Sequence, residues 1–283
     1  MALALLAVPL IAAAENALDV PYVPTPQVVV DEMLRVAKVG PDDYVMDLGS
    51  GDGRILITAA TKFGARGLGV ELDDALLAES NENARQAGVA DRVRFRKEDL
   101  FKTDLSRATA ITLYLVPRVN ARLLPRLLAL EPGTRIVSHD FDLEGWRPDA
   151  KTTIRKNIFL WIVPARVAGR WQAQLAFPEG ARDVELELRQ QHQDVDGVVR
   201  ELRQQHQDVD GVVRTAGRIA QVWQPRLEGE RFTFTIVDDR NREDEASLYV
   251  AARVRGDVME GEMRRGVGAA EVRLPWRATR RLP

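Results

Sequence analysis

The sequence alternates between strand and helix patterns from Asp19 to Ala165. Short apolar runs that fit buried strands are followed by segments whose apolar residues recur every three or four positions. This alternation predicts an α/β fold in which helices cover both faces of a parallel sheet. The pattern also predicts a first helix capped by Thr25 and a later helix that is interrupted or begins late at Pro125.

A glycine-rich loop follows the first predicted strand. The stretch MDLGSGDGR places Gly49, Gly51 and Gly53 straight after an apolar run. Glycines allow positive φ and close approach of a ligand, and ligands of such sheets bind beyond the carboxyl ends of the strands. The dinucleotide pattern Gly-x-Gly-x-x-Gly needs a glycine where Arg54 stands, which argues against NAD. Asp47 is interpreted either as an acceptor that organises the loop or as a ligand contact.

Acidic residues end the next two predicted strands. Glu71 lies about 20 residues beyond the glycines, where an acidic side chain accepts hydrogen bonds from ribose hydroxyls. Asp99 ends the third strand, where a carboxylate suits the exocyclic amine of an adenine. The ordered series therefore predicts a ligand that contains adenosine.

Composition restricts the chemistry further. The chain of 283 residues has no cysteine and three histidines, so we expect neither thiolate catalysis nor a metal site. Its formal net charge of -2 gives no electrostatic reason to expect a nucleic acid as partner.

The motifs YVMDLGSGDGR, GVEL and VRFRKEDL resemble the first three motifs of class I S-adenosylmethionine-dependent methyltransferases. With the preceding PYVPTP, they are similar in particular to the group that includes the lysine methyltransferases acting on the ATP synthase c-ring protein and related bacterial proteins. The resemblance covers residues 19–165. It implies a Rossmann-like methyltransferase sheet and S-adenosylmethionine as cofactor.

The resemblance also implies roles for individual residues. Tyr22 and Thr25 would close over the methionine end of the cofactor. In TLYLVP, after the fourth strand, Tyr114, Leu115 and Pro117 would face the methyl group. This segment departs from the Asn-Pro-Pro-Tyr form of many amide and base nitrogen methylators, so the acceptor stays open. The expected cofactor residues are Tyr22, Thr25, Asp47, Gly49, Gly51, Gly53, Glu71, Asp99 and Leu100.

Methyl transfer needs mainly alignment, and a base only if the acceptor arrives protonated. His139 and Asp140, after the fifth strand, are candidates for a base or a substrate contact, and Tyr114 is the second catalytic candidate. A histidine at a strand end is also often structural. We expect a methyltransferase whose acceptor is unidentified, with a protein lysine implied by the resemblance. The alternatives are a small-molecule or lipid methyltransferase, an NAD-dependent oxidoreductase and a non-catalytic binding protein.

Two further segments flank the methyltransferase region. Residues 1–18 contain a short apolar run that ends in Ala-x-Ala and resembles a signal or anchor, although its basic n-region is missing. This favours export or membrane proximity, whereas the supply of cofactor favours the cytoplasm. Residues 166–283 carry short runs of period two, which predict a β meander closed into a small barrel or a sandwich.

The second half also contains a tandem duplication. ELRQQHQDVDGVVR occurs without a difference at residues 187–200 and 201–214. Two identical copies indicate a recent in-frame duplication and not a solenoid. Asp-Val-Asp-Gly predicts a turn in each copy, and the extra copy is expected in a long hairpin or a loop.

Overall fold

A computed structural model describes residues 22–177, 180–201, 218–238, 247–266 and 271–281. The signal-like segment and nearly all of the second copy of the repeat lie outside these ranges. None of the helices within them has the length and apolar character that a membrane span requires.

Seven strands form one mixed sheet. They are β1 (Tyr44–Leu48), β2 (Arg66–Glu71), β3 (Val93–Lys97), β4 (Ala110–Leu113), β5 (Arg135–His139), β6 (Ala150–Ile154) and β7 (Lys156–Ile162). Their order is β3-β2-β1-β4-β5-β7-β6. Strands β1 to β5 pair in parallel, whereas β7 pairs antiparallel with both β5 and β6. The Rossmann-like fold is therefore confirmed, and one edge carries an antiparallel pair that the expectation of a parallel sheet did not include.

In the part of the chain that the structure describes, four helices pack on this sheet. They are α1 (Gln27–Val36), α2 (Arg54–Phe63), α3 (Asp74–Gln86) and α4 (Pro117–Leu127). The cap predicted at Thr25 was wrong by one residue, because Pro26 precedes the first helical residue and makes no side-chain cap. The break predicted at Pro125 was also wrong. Pro125 lies in the last turn of α4, where the missing N–H interrupts little of the helix.

Eight further strands close into an antiparallel barrel, in the order β10-β11-β12-β13-β14-β15-β8-β9. Their ranges are β8 (Gly169–Phe177), β9 (Gly180–Gln191), β10 (Asp194–Glu201), β11 (Arg218–Glu228), β12 (Arg231–Asp238), β13 (Leu248–Arg255), β14 (Val258–Arg265) and β15 (Val272–Arg280). Alternate residues fill the interior, including Trp171, Phe232 and Phe234. Of the two predicted architectures the barrel is confirmed, and its closure removes exposed strand edges.

The first copy of the repeat builds a hairpin of this barrel. Its residues end β9, turn at His192 and Gln193, and begin β10 at Asp194. The turn predicted at Asp-Val-Asp-Gly was therefore wrong, because these residues lie in β10. Gly197 instead allows β10 to lie close to β9, since a Cβ at this position would be 2.7 Å from the carbonyl oxygen of Glu187.

The tip of this hairpin contacts the loop that follows β5. The indole Nε1 of Trp146 donates to Oε1 of Gln193 at 2.9 Å, and Nε2 of Gln193 donates to the carbonyl of Arg147 at 2.6 Å. Trp161 in β7 donates through its own Nε1 to the carbonyl of Trp146 at 2.7 Å. Trp146 and Trp161 are both buried, and the hydrogen bonds that Trp146 makes with Gln193 and with Trp161 join the barrel to the sheet.

Deleting residues 201–214 should leave the fold intact. One copy of the repeat is enough to build the β9–β10 hairpin and its contact with Trp146. Because the retained copy has the same sequence as the deleted one, we expect the melting temperature to stay within about 2 °C of the parent. Calorimetric unfolding of both proteins provides the measurement. A large loss of stability would show that the second copy is an integral part of the barrel.

Candidate functional site

A cavity of about 580 Å³ opens at the carboxyl ends of β1 to β4. The loops after these strands supply most of its wall, and the chain before α1 crosses its mouth. This is the edge of the sheet at which the sequence predicted a ligand. The predicted residues that line it are Tyr22, Thr25, Asp47, Gly49, Gly51, Glu71, Asp99, Leu100, Tyr114 and Leu115.

The three glycines of the loop after β1 all have positive φ, at 80°, 52° and 81°. A Cβ on Gly51 would lie 2.5 Å from the Tyr22 ring, so glycine is required there for both its backbone angle and its size. Gly53 lies outside the cavity. A Cβ at this position would clash with Phe95 of β3 and Ser80 of α3. A glycine at position 53 therefore allows these two side chains to pack against the loop.

Glu71 holds two segments in place, the glycine loop after β1 and the turn that follows β2. One carboxylate oxygen accepts from the backbone N–H of Gly51 at 3.0 Å. The other accepts from the N–H groups of Leu72 and Asp73 at 2.8 and 3.1 Å. The side chain thus holds the glycine loop in place while its carboxylate borders the cavity.

Asp47 is buried at the end of β1. Its Oδ1 accepts a hydrogen bond from the hydroxyl of Thr112 at 2.6 Å, and its carboxyl borders the cavity. Burial raises the pKa of Asp47 to about 7, and the nearby carboxylates of Glu71 and Asp52 act in the same direction, against the Thr112 hydrogen bond. A cationic group in the cavity would favour the ionised form.

The side chains around Tyr114, at the cavity wall, are aromatic. The ring centroid of Tyr114 lies 4.0 Å from that of His139 and 6.3 Å from that of Phe141. His139 is 2% exposed, and its Nδ1 lies 3.4 Å from the hydroxyl of Thr25. Its Nε2 has no hydrogen-bond partner among the described residues. Burial lowers the pKa of His139, so its neutral form is favoured.

Three residues expected at the acceptor end lie outside the cavity wall. His139 lies behind Tyr114, Pro117 begins α4, and Asp140 pairs with Lys156 at 3.1 Å. Of the predicted catalytic pair, Tyr114 alone lines the cavity.

Sequence reasoning missed six charged residues of the cavity wall, which are Asp52, Arg54, Asp73, Lys97, Glu98 and Arg122. Asp52 and Arg54 line the cavity and form an ion pair at the start of α2. The only signal in the sequence was the arginine that replaces the third glycine of a dinucleotide loop.

Comparison with known proteins agrees with this geometry. A family model described as the ANTKMT methyltransferase domain matches residues 47–150. A protein-lysine N-methyltransferase from Saccharolobus islandicus is 49% identical over 131 residues, which cover 46% of this chain and 81% of that protein. The adenine nucleotide translocase lysine N-methyltransferase of Mus musculus is 37% identical over 135 residues, 47% of this chain and 58% of the mouse protein.

One solved structure is similar over the same half of the chain. It is an RNA methyltransferase from Salinibacter ruber in complex with S-adenosyl-L-homocysteine, 50% identical, with a TM-score of 0.50, covering 51% of this chain and 96% of that one. The predicted transferase activity and the predicted cofactor, S-adenosylmethionine, are thereby confirmed. The chain belongs to the S-adenosylmethionine-dependent methyltransferases.

Proposed function

We propose that the enzyme transfers the methyl group of S-adenosylmethionine to the side-chain amine of a protein lysine. The observation that carries this is the 49% identity to a protein-lysine N-methyltransferase, 81% of which the match covers. The strand end at Tyr114 agrees with it, because TLYLVP lacks the Asn-Pro-Pro-Tyr form of many amide and base nitrogen methylators.

We infer a distinct task for each of several residues of the cavity. Bound S-adenosylmethionine supplies a methyl group that its sulfonium centre has already activated. Glu71 holds the loop that carries the ligand, and Tyr22 and Thr25 cover the methionine end. Tyr114 and Leu115 form the apolar wall at which the acceptor amine is aligned, which is the main requirement of an in-line transfer.

The acceptor amine must be neutral when it attacks. An amine that enters an apolar, aromatic site loses hydration, which lowers its pKa and favours release of its proton. We assign His139 to the positioning of Tyr114 and Thr25, because its ring packs on the former and its Nδ1 lies beside the hydroxyl of the latter. A direct role of His139 as base stays a prediction.

RNA is the second candidate acceptor. The similar Salinibacter ruber protein is described as an RNA methyltransferase, and its identity to this chain is 50%. The net charge of -2 does not favour this candidate, because nucleic-acid partners usually go with a basic excess.

Transfer of label from tritiated S-adenosylmethionine to an extract of the source cells distinguishes the acceptors. We expect that protease treatment removes the label from the macromolecular fraction and that ribonuclease treatment does not. Acid hydrolysis of the labelled protein should release labelled methyl-lysine. Label lost to ribonuclease would identify RNA, and label in an organic extract would identify a lipid or small molecule; either would contradict the proposal. Membrane proximity through residues 1–18 also stays a prediction, which separation of the extract into membrane and soluble fractions tests.

Cofactor binding should depend on the ionisation of Asp47. Its pKa of about 7 lies above the ordinary value, so protonation stabilises the free protein, and this stability is lost as the pH rises through 7. The cationic cofactor favours the carboxylate, so binding below pH 7 must release a proton. We expect affinity to fall by up to about tenfold per pH unit between pH 7 and pH 5.5. Calorimetric titrations over this range measure it.

The variant Asp47→Asn provides the control for this pH dependence. It cannot ionise, so it should bind S-adenosylmethionine more weakly and with a flatter pH profile. Equal slopes in parent and variant would show that another group causes the dependence.

A further inference from the structure

The four residues Tyr22 to Thr25 cross the mouth of the cavity, and all of them line it. The Tyr22 ring lies against Gly51, close enough that a Cβ there would be 2.5 Å away. Its outer side is open, since Tyr22 is 46% exposed. A ligand held in this cavity would lie beside the segment, so the position of the segment affects how readily the ligand leaves.

Arg54 ties this segment to the start of α2. Its Nη1 donates to the backbone carbonyl of Thr25 at 2.9 Å. Its Nε donates to both carboxylate oxygens of Asp52, at 2.9 and 3.0 Å. Because the bond to Thr25 is made to the main chain, it fixes the path of the segment itself.

The Asp52–Arg54 pair is partly shielded from water. The side chains are 11% and 33% exposed, which distinguishes this pair from the surface ion pairs of the chain. Hydrogen bonds from Arg54 lower the pKa of Asp52 although burial opposes the shift. Burial and the Asp52 charge in turn raise the pKa of Tyr22. The carboxylate is therefore coupled both to Arg54 and to the ring at the cavity mouth.

The same carboxylate occupies the start of a helix. Asp52 accepts from the backbone N–H of Arg54, the first residue of α2, at 3.2 Å. A helix N-terminus is where dinucleotide-binding folds place a pyrophosphate. The negative charge of Asp52 at this position repels a pyrophosphate. A loop that binds pyrophosphate could therefore not carry this ion pair.

We propose that the Asp52–Arg54 pair is a latch that holds Tyr22–Thr25 across the cavity and sets how long the cofactor remains bound. Both residues act as positioning residues, through the covering segment. The cofactor enters and its demethylated product leaves in every turnover, so the latch must open each time. This inference holds for any methyl acceptor, and its failure would leave the proposed lysine specificity untouched.

Dissociation and association rates of tritiated S-adenosylmethionine, measured without an acceptor, test the latch. Arg54→Gln should release the cofactor about 10-fold faster or more, because a charge-assisted bond of the closed segment is lost. Association should be unchanged or faster, since the mouth opens more readily. A role in folding alone would predict slower association and a lower melting temperature, which separates the two explanations.

Four further variants complete the test. Asp52→Asn should release the cofactor as fast as Arg54→Gln, and the double variant no faster than either, because both changes open one latch. Arg54→Lys keeps the charge with fewer hydrogen bonds and should be intermediate; it decides the test if Arg54→Gln does not fold. Arg85→Gln removes the exposed Glu82–Arg85 pair of α3 and should behave as the parent. Release at the parent rate in both Asp52 and Arg54 variants, or additive effects in the double variant, would overturn the proposal.

Discussion

Gly51→Val is expected to weaken the binding of S-adenosylmethionine by more than about 100-fold, or ~2.7 kcal/mol. The residue has φ of 52°, which a branched side chain adopts only at a cost of about 1–3 kcal/mol. Its Cβ would also lie 2.5 Å from the Tyr22 ring, so the covering segment or the glycine loop would have to move. Calorimetric titration of parent and variant measures the loss.

Gly88→Val is the matched control. Gly88 also has a positive φ, at 70°, but a Cβ there meets nothing within 4 Å, and the residue lies beyond the end of α3. This variant should lose stability to a similar strain while its affinity for the cofactor stays close to that of the parent. Equal losses of affinity in both variants would mean that strain, and not the cavity, explains the effect at Gly51.

Glu71→Ala should weaken cofactor binding by about 10-fold to 150-fold, from a loss of about 1.5 to 3 kcal/mol. The change removes the acceptor of three backbone N–H groups. It also removes the carboxylate that we propose as the acceptor of the ribose hydroxyls. The sheet should remain folded, because Glu71 ends β2 at its edge by the cavity. Affinity from titration and melting temperature from calorimetry together check this result.

Glu71→Gln separates the two roles of the side chain. Its amide oxygen still accepts from the loop, whereas its amide nitrogen cannot, so we expect an affinity between those of the parent and Glu71→Ala. An affinity of Glu71→Ala equal to that of the parent would show that the ribose is held elsewhere.

Much of the sheet was predictable because its strands and helices carry clean periodic patterns. The run YVMDL is buried from Val45 to Leu48, and α2 ends at a glycine in the left-handed region, as its sequence indicates. Strand β6 was not predicted, because AKTTI is a short, largely polar edge strand without an alternating apolar face. The turn of the repeat was misplaced because strand pairing, and not local turn preference, decides the position of Asp194–Gly197.

The residues of the cavity wall were predictable where an acidic side chain follows or ends a strand in the sequence. Asp47 and Glu71 lie at the ends of β1 and β2, and all three acidic residues meet at one edge of the sheet. Asp99 lies two residues beyond the end of β3 and not at its end as predicted. The latch was not predictable in this way. Thr25 and Arg54 are separated by an entire helix and strand, and their contact depends on a backbone carbonyl that no residue pattern identifies.

Calorimetric titration of the parent protein with S-adenosylmethionine, S-adenosylhomocysteine and NAD tests the central claim most directly. The claim is that the loop GSGDGR, Glu71 and the covering segment form a site for a methionine-derived nucleoside. We predict one site that binds both methionine-derived ligands and shows no heat with NAD, because Asp52 occupies the place of a pyrophosphate. Tight binding of NAD without a response to either methionine-derived ligand would contradict the account.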